Sequence, residues 1–173
     1  MRCAVDVAAL RAEPRDDAEQ VTQALRGDPL TVEELRDGWA RVVTASDYPG
    51  WVREELLCGD APLDVARTFV GVRYEWGGLS AAGLDCSGLV HLAYRLCGRT
   101  VPRDAWQQDA AGTAIGMPEP GDLATYGDPV DHIAFWAGEG RILHATGRDG
   151  GIGVVEEPEP ADLAPRRRRF VRL

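Results

Sequence analysis

Arg73-Tyr74-Glu75-Trp76-Gly77-Gly78, a short loop, Asp85-Cys86-Ser87-Gly88-Leu89-Val90, and on through Ala93, Leu96 and Cys97 to Gly98: this stretch decides how the chain is read. Leu89, Val90, Ala93, Leu96 and Cys97 recur at helical spacing, and Gly98 follows as a stop signal. Cys86 therefore falls in the first turn of a helix. There, unpaired backbone N–H groups and the positive end of the helix dipole favour the thiolate and can hold an oxyanion. Gly77 and Gly78 permit close backbone approach ahead of it. The plain alternative is a small buried hydrophobe at a helix start, which is the reading for Cys97. His91 lies about 140° around the helix from Cys86 and is read as structural.

A second constellation lies downstream. Asp131-His132-Ile133-Ala134-Phe135-Trp136-Ala137 and Arg141-Ile142-Leu143-His144-Ala145-Thr146 are strand-like, joined by Gly138-Glu139-Gly140. His132 and His144 are equidistant from Gly138, so a hairpin centred there places them directly opposite on one face. One imidazole can then act as base while the other fixes its tautomer and orientation. A slip of one residue would separate them.

A cysteine at a helix start, a later histidine and an orienting residue after it form the order of papain-like cysteine hydrolases. Tyr74-x-Trp76-Gly77-Gly78, Asp85-Cys86-Ser87-Gly88-Leu89-Val90, Pro102-Arg103-Asp104, Pro120-Gly121-Asp122-Leu123, Asp131-His132-Ile133-Ala134 and Leu143-His144-Ala145 resemble, in order and spacing, the motifs of NlpC-type cell-wall peptidases. The resemblance covers residues 62–173. It implies an α+β catalytic domain, with N-terminal helices packed on an antiparallel sheet. It also implies Cys86 as nucleophile, His132 as base and His144 as orienting residue. Tyr74 would help the Cys86 N–H with the oxyanion, Asp85 would meet a substrate α-amine, and Trp76, Ser87 and Asp104 would line the pocket. Ala105 stands where the family often has a serine that holds substrate, so one polar contact is missing.

Residues 1–57 read as short strands, Ala4–Ala8, Gln20–Ala24, Pro29–Leu35, Trp39–Thr44 and Gly50–Val52, broken at Pro14, Gly27, Gly38 and Pro49. The pieces Leu10–Pro14, Gly27–Leu30, Asp37–Val42 and Tyr48–Val52 resemble the bacterial Src-homology-3-like barrel often joined to these peptidases. By position in those motifs, Tyr48 and Glu13 are candidate contributors to a substrate cleft. Tyr48 has an equal alternative as a turn aromatic packed on Trp51. The short connection from Leu57 to Pro62 favours domains held close over a swinging module. Residues 63–72 are expected to form a packing helix, Gly121-Asp122 to open the first strand of the sheet, Arg166–Arg169 to be a solvated run, and Phe170–Leu173 to be a final strand.

The chain has 173 residues and a net charge of −9. Residues 1–60 carry seven Arg against thirteen Asp or Glu. This balance argues against nucleic acid and fits attachment to an anionic wall polymer poorly. A small peptide with a free amine suits it better, beside the bland reading of a solvating acidic surface. No segment reads as membrane-spanning. The N-terminus lacks the apolar core of a secretory signal, so cytoplasmic residence is the expectation. Four scattered cysteines suggest no disulfide framework, although Cys3 and Cys58 flank the first domain. Cys86, His132 and His144 are zinc-ligand types, yet no close Cys-x-x-Cys or His-x-x-x-His pair nucleates a site. The expected function is a cofactor-free cysteine endopeptidase. It would cut murein-derived peptides with a free N-terminal L-alanine at the γ-D-glutamyl-diamino acid bond, in wall recycling or turnover. The rival class is a non-catalytic module that binds wall fragments.

Overall fold

The computed structural model describes residues 1–148 and 152–173. The chain divides into two units, Met1–Asp60 and Ala61–Leu173. In the first, short alternating apolar runs make β1 (Arg2–Cys3), β2 (Val7–Arg11), β3 (Gln20–Leu25), β4 (Leu30–Arg36), β5 (Trp39–Thr44), β6 (Pro49–Arg53) and β7 (Leu57–Cys58). An antiparallel sheet runs in the order β3-β2-β6-β5-β4, and β1 pairs with β7. Ala8, Leu10, Ala40, Val42 and Val52 turn inward and bury with Cys3, Ala24 and Leu30. Asp37-Gly38 closes the β4–β5 hairpin with φ +52° and +77°, a turn whose twist matches that of the strands.

One expectation changes here. The strand expected at Ala4–Ala8 forms at Val7–Arg11, because the Ala4 N–H donates to the Leu56 carbonyl at 2.8 Å and the chain bends at Val5 and Asp6. No disulfide joins Cys3 to Cys58. Cys3 pairs with Leu57 and Cys58 with Arg2, so the two side chains leave opposite faces of the ladder.

The second unit comprises α1 (Pro62–Arg67), β8 (Leu79–Ser80), β9 (Gly83–Leu84), α2 (Cys86–Leu96), α3 (Ala105–Ala111), β10 (Thr113–Ile115), β11 (Leu123–Tyr126), β12 (His132–Gly138), β13 (Arg141–Thr146), β14 (Gly153–Pro158) and β15 (Arg167–Arg172). The six larger strands form one antiparallel sheet in the order β10-β15-β11-β12-β13-β14. α2 packs across β12 and β13, where Tyr94 stacks on Phe135 with ring centroids 6.2 Å apart. The helix stops at Cys97, and Gly98 follows with φ +78°. The expected helix over 63–72 ends at Arg67. Beyond it, Gly71 donates to the Val154 carbonyl and Val154 donates to that of Val72, so these backbone groups serve the edge of β14 instead of a helix.

The sheet also departs from expectation at its ends. β10 precedes Gly121-Asp122 in the chain and pairs with β15, and β14 covers a stretch that had no strand reading. β15 is interior, lying between β10 and β11, and it takes in most of the arginine run. Those arginines are not merely solvated. Arg166 pairs with Asp131, Arg167 with Glu159, Arg168 with Asp128, Arg169 with Asp109, and Arg172 with Asp122 and Glu119. An inner strand places each guanidinium beside acids from neighbouring segments, and the unit's excess carboxylates supply the partners.

The β12–β13 hairpin differs in register from the symmetric one expected. Its turn is Glu139-Gly140, with φ +52° and +71°, and a bulge falls between Trp136 and Gly138. Phe135 lies opposite Leu143, so His144 faces Ala134 and not His132. The histidines are diagonal neighbours. They still share a face, because the extra residue at the bulge restores the parity that a two-residue turn alone would reverse. Among the described residues, no helix is long and apolar enough to cross a membrane.

Candidate active site

Asp85 caps α2, its Oδ1 accepting from the Gly88 N–H at 2.6 Å. Its Oδ2 accepts from the Gly77 N–H at 2.8 Å, which ties the Trp76-Gly77-Gly78 loop to the start of the helix. Arg103 grips both oxygens, at 3.0 and 2.8 Å, and also donates to Ser87 Oγ at 2.9 Å and to the Gly78 carbonyl at 3.2 Å. A Cβ at Gly88 would stand 2.2 Å from the Gly78 carbonyl oxygen, so only glycine allows loop and helix this close. Arg103 and the amides of Gly88 and Gly77 hold the Asp85 carboxyl below the usual carboxylate range, against the opposing push of burial.

Cys86 is only 7% exposed but lines a cavity of about 600 Å³, together with Trp76, Asp85, Ser87, Asp104 and Trp106. Burial pushes its thiol up to about 11, against the pull of the amide groups of Ile133, Ser87 and Cys86 itself. The helix start alone favours the thiolate. In the folded site desolvation outweighs it. Tyr74 lies near enough to Cys86 and Asp85 that their charges, after burial, raise its phenol.

His132 Nε2 and His144 Nδ1 are 2.8 Å apart. With Nε2 engaged, Nδ1 is the open nitrogen of His132, and the adjacent residue, Ile133, turns its amide to the Cys86 sulfur. Burial, then His144 and Arg166, drives the His132 imidazole down to about 3. Burial likewise lowers His144, although Glu157 opposes it. A second cavity, of about 370 Å³, is lined by His132, His144, Arg148 and Asp162. Trp76, 86% exposed, and Asp131 line both cavities.

The candidate residues thus fall into groups. Cys86, Asp85, Ser87, Trp76 and Asp104 meet at one cavity, and His132 and His144 at the adjoining one. Ala105 lines the first cavity at the start of α3. In the first unit, Tyr48 is 47% exposed and shares a cavity of about 260 Å³ with Trp51. Glu13 is exposed beside Arg15. His91 Nδ1 sits 2.8 Å from the Val101 carbonyl, a structural contact. Sequence reasoning gave no role to Arg103, whose place in Pro102-Arg103-Asp104 was a visible signal. It also missed Glu157, for which the absent reading of β14 left none, and Arg148, which precedes that strand. Among the described residues, no group of three His, Cys, Asp or Glu side chains is arranged to hold a metal ion.

Residues 71–161 match the model of the NlpC/P60 family. The chain belongs to that family. Residues 10–57 of this NlpC/P60 protein match the bacterial dipeptidyl-peptidase Sh3 domain. A probable endopeptidase of Corynebacterium glutamicum is 30% identical over 118 residues, 67% of this chain and 56% of the relative. The gamma-D-glutamyl-L-lysine dipeptidyl-peptidase of Bacillus subtilis is 33% identical over 94 residues, 50% of this chain and 32% of the relative. Among solved structures, the peptidoglycan hydrolase RipB of Mycobacterium tuberculosis is 31% identical with a TM-score of 0.55, over 62% of this chain and 60% of that one. The NlpC/P60 chain spans a quarter to just over half the length of the curated relatives it matches.

Proposed function

We propose that the chain is a cysteine endopeptidase of papain-like architecture. It hydrolyses murein-derived peptides at the bond between γ-D-glutamate and a diamino acid. The observation that carries this reading is the hydrogen-bonded His132–His144 pair at a cavity adjoining the one that Cys86 lines, with His132 next in the chain to Ile133, whose amide acts on the thiol. The names of the B. subtilis and M. tuberculosis relatives support the substrate class.

Buried and neutral, thiol and imidazole begin as an uncharged pair. As the carbonyl carbon comes within reach, the Cys86 proton passes to His132 Nδ1 and the sulfur forms a bond to carbon. The oxyanion accepts from the Cys86 N–H and the Tyr74 hydroxyl; one such donor is typically worth about 3 kcal/mol. His132 then protonates the leaving amine, and water, activated by the same imidazole, hydrolyses the thioester. Asp85 receives the substrate's α-amine. Its charge is already balanced by Arg103, so discrimination there depends on hydrogen-bond geometry more than on net charge.

Incubation with L-Ala-γ-D-Glu-diamino acid tests the assignment. Wild type releases the diamino acid, and Cys86→Ala, folded by circular dichroism, does not. Equal turnover by both would overturn the reading. N-acetylated peptide is expected to react more slowly than free peptide, and equal rates would remove Asp85 from amine recognition.

A further inference from the structure

We propose that Glu157, held by Arg148, is a positioning residue that sets the tautomers of both histidines and thereby leaves a lone pair on His132 Nδ1. The inference rests on the cysteine-peptidase reading above and assigns a role to two residues outside the Cys86–His132–His144 set.

The geometry fixes the direction of each hydrogen bond in turn. β14 pairs with β13 so that His144 lies opposite Val155, and Glu157, two residues further on, shares its face as a diagonal neighbour. Glu157 Oε1 is 3.0 Å from His144 Nε2. The Arg148 guanidinium donates to both Glu157 oxygens, at 2.9 and 3.0 Å. Held there, and kept below the ordinary carboxylate range by Arg148 and His144 despite its burial, Glu157 is acceptor-only. His144 must then carry its proton on Nε2. Its Nδ1 has a lone pair, which can only accept, and the partner 2.8 Å away is His132 Nε2. That nitrogen must therefore carry the second proton. His132 Nδ1 is left bare, the state a base for the Cys86 thiol requires.

His144 is 2% exposed, so solvent cannot easily replace a lost acceptor. Without Glu157, the group that shared its Oε1 with His144 is Arg148, which only donates. It would claim the lone pair of His144 Nε2 and drive the proton to Nδ1. The second hydrogen bond would reverse with it, and His132 would hold its proton on the nitrogen meant to accept one. The charged neighbours that bear on the pair are Asp162 beside His144 and Arg166 beside His132, together with Glu157 and Arg148 themselves.

The test uses ¹⁵N-labelled full-length protein and two-bond ¹H–¹⁵N imidazole spectra at pH 7.5, with peptide cleavage measured on the same samples. In wild type, both histidines should appear neutral and protonated on Nε2. In Glu157→Ala both should shift towards the Nδ1–H form, with kcat falling about 100-fold and KM nearly unchanged, as expected when an outer partner fixes a ring's tautomer. Glu157→Gln keeps an acceptor but no charge. It should retain the wild-type tautomers and lose less than about 10-fold in kcat, and the acid limb of its pH profile should move to lower pH because the imidazolium loses its anionic neighbour. Arg148→Met frees the carboxylate and should give an intermediate loss, which serves if Glu157→Ala does not fold. Wild-type His132 protonated on Nδ1, or Glu157 variants with unaltered tautomers and kcat, would overturn the proposal. The expected tautomers in a wild type that cleaves no peptide would instead count against the peptidase reading and leave the hydrogen-bond assignment standing.

Discussion

Single side chains at the helix start show two effects in competition. The dipole and free amides of α2 favour a Cys86 thiolate, but the thiol is buried, and desolvation of the charge is the larger effect. Alkylation of the unliganded protein by iodoacetamide should therefore be slow at pH 6 and climb steeply above pH 8.5. A rate plateau in the acid range would show that an ion pair with His132 already exists. Gly88 is constrained for a different reason. A methyl there meets the backbone oxygen of Gly78, not a side chain that can swing aside. Gly88→Ala should cost about 1–3 kcal/mol in denaturant unfolding, the usual range for forced overpacking, and should lower activity by moving Cys86.

At the level of elements, the β12–β13 hairpin decides whether the site exists. A two-residue turn at Glu139-Gly140 would by itself place the two histidines on opposite faces, and the bulge beside Ala137 brings them back to one. The turn is held in spite of its sequence, since Glu139 adopts φ +52°, a conformation that suits Asn or Gly better than Glu. Glu139→Asn should accordingly stabilise the protein by about 0.5–1 kcal/mol, read as a higher Tm, without altering cleavage. Gly140→Ala should do the reverse. The helix start was legible because its signals are local: apolar spacing and Gly98 as stop. The bulge was not. Gly138-Glu139-Gly140 fits both a symmetric connection and the offset one, and the choice depends on which residues of β12 meet α2.

Taken whole, the molecule keeps two imidazoles uncharged inside a strongly acidic chain. Burial depresses both His132 and His144 below the value they have when unfolded, near 6.5. Between pH 6.5 and about 3 the unfolded chain binds a proton at His132 that the folded one does not, so stability rises with pH across that window and is lost on acidification. Each such histidine contributes a slope of at most about 1.4 kcal/mol per pH unit. Carboxyls held low by arginines, Asp109 by Arg169 and Asp122 by Arg172 among them, act in the same direction at lower pH: their stabilisation is present above the ordinary carboxyl range and disappears as pH falls through the depressed values. Calorimetry should show Tm dropping from pH 6.5 to 4.5 in wild type, and less steeply in His144→Gln. Equal slopes would mean that His144 is protonated in the folded state.

What the sequence determined by itself was everything carried by near neighbours along the chain: a cysteine in the first turn of a helix, paired strand-like runs each bearing a histidine, and short alternating strands in residues 1–57. Hydrophobic period, capping and turn residues act over a few positions, so they can be read without coordinates. Tertiary structure alone decided what depends on strands distant in sequence. It set the diagonal meeting of His132 with His144, brought Glu157 and Arg148 in behind them, made β15 an interior strand with its arginines beside acids, and settled the charge state of the thiol. Each of these rests on desolvation or cross-strand register, and neither is defined until the sheet has closed.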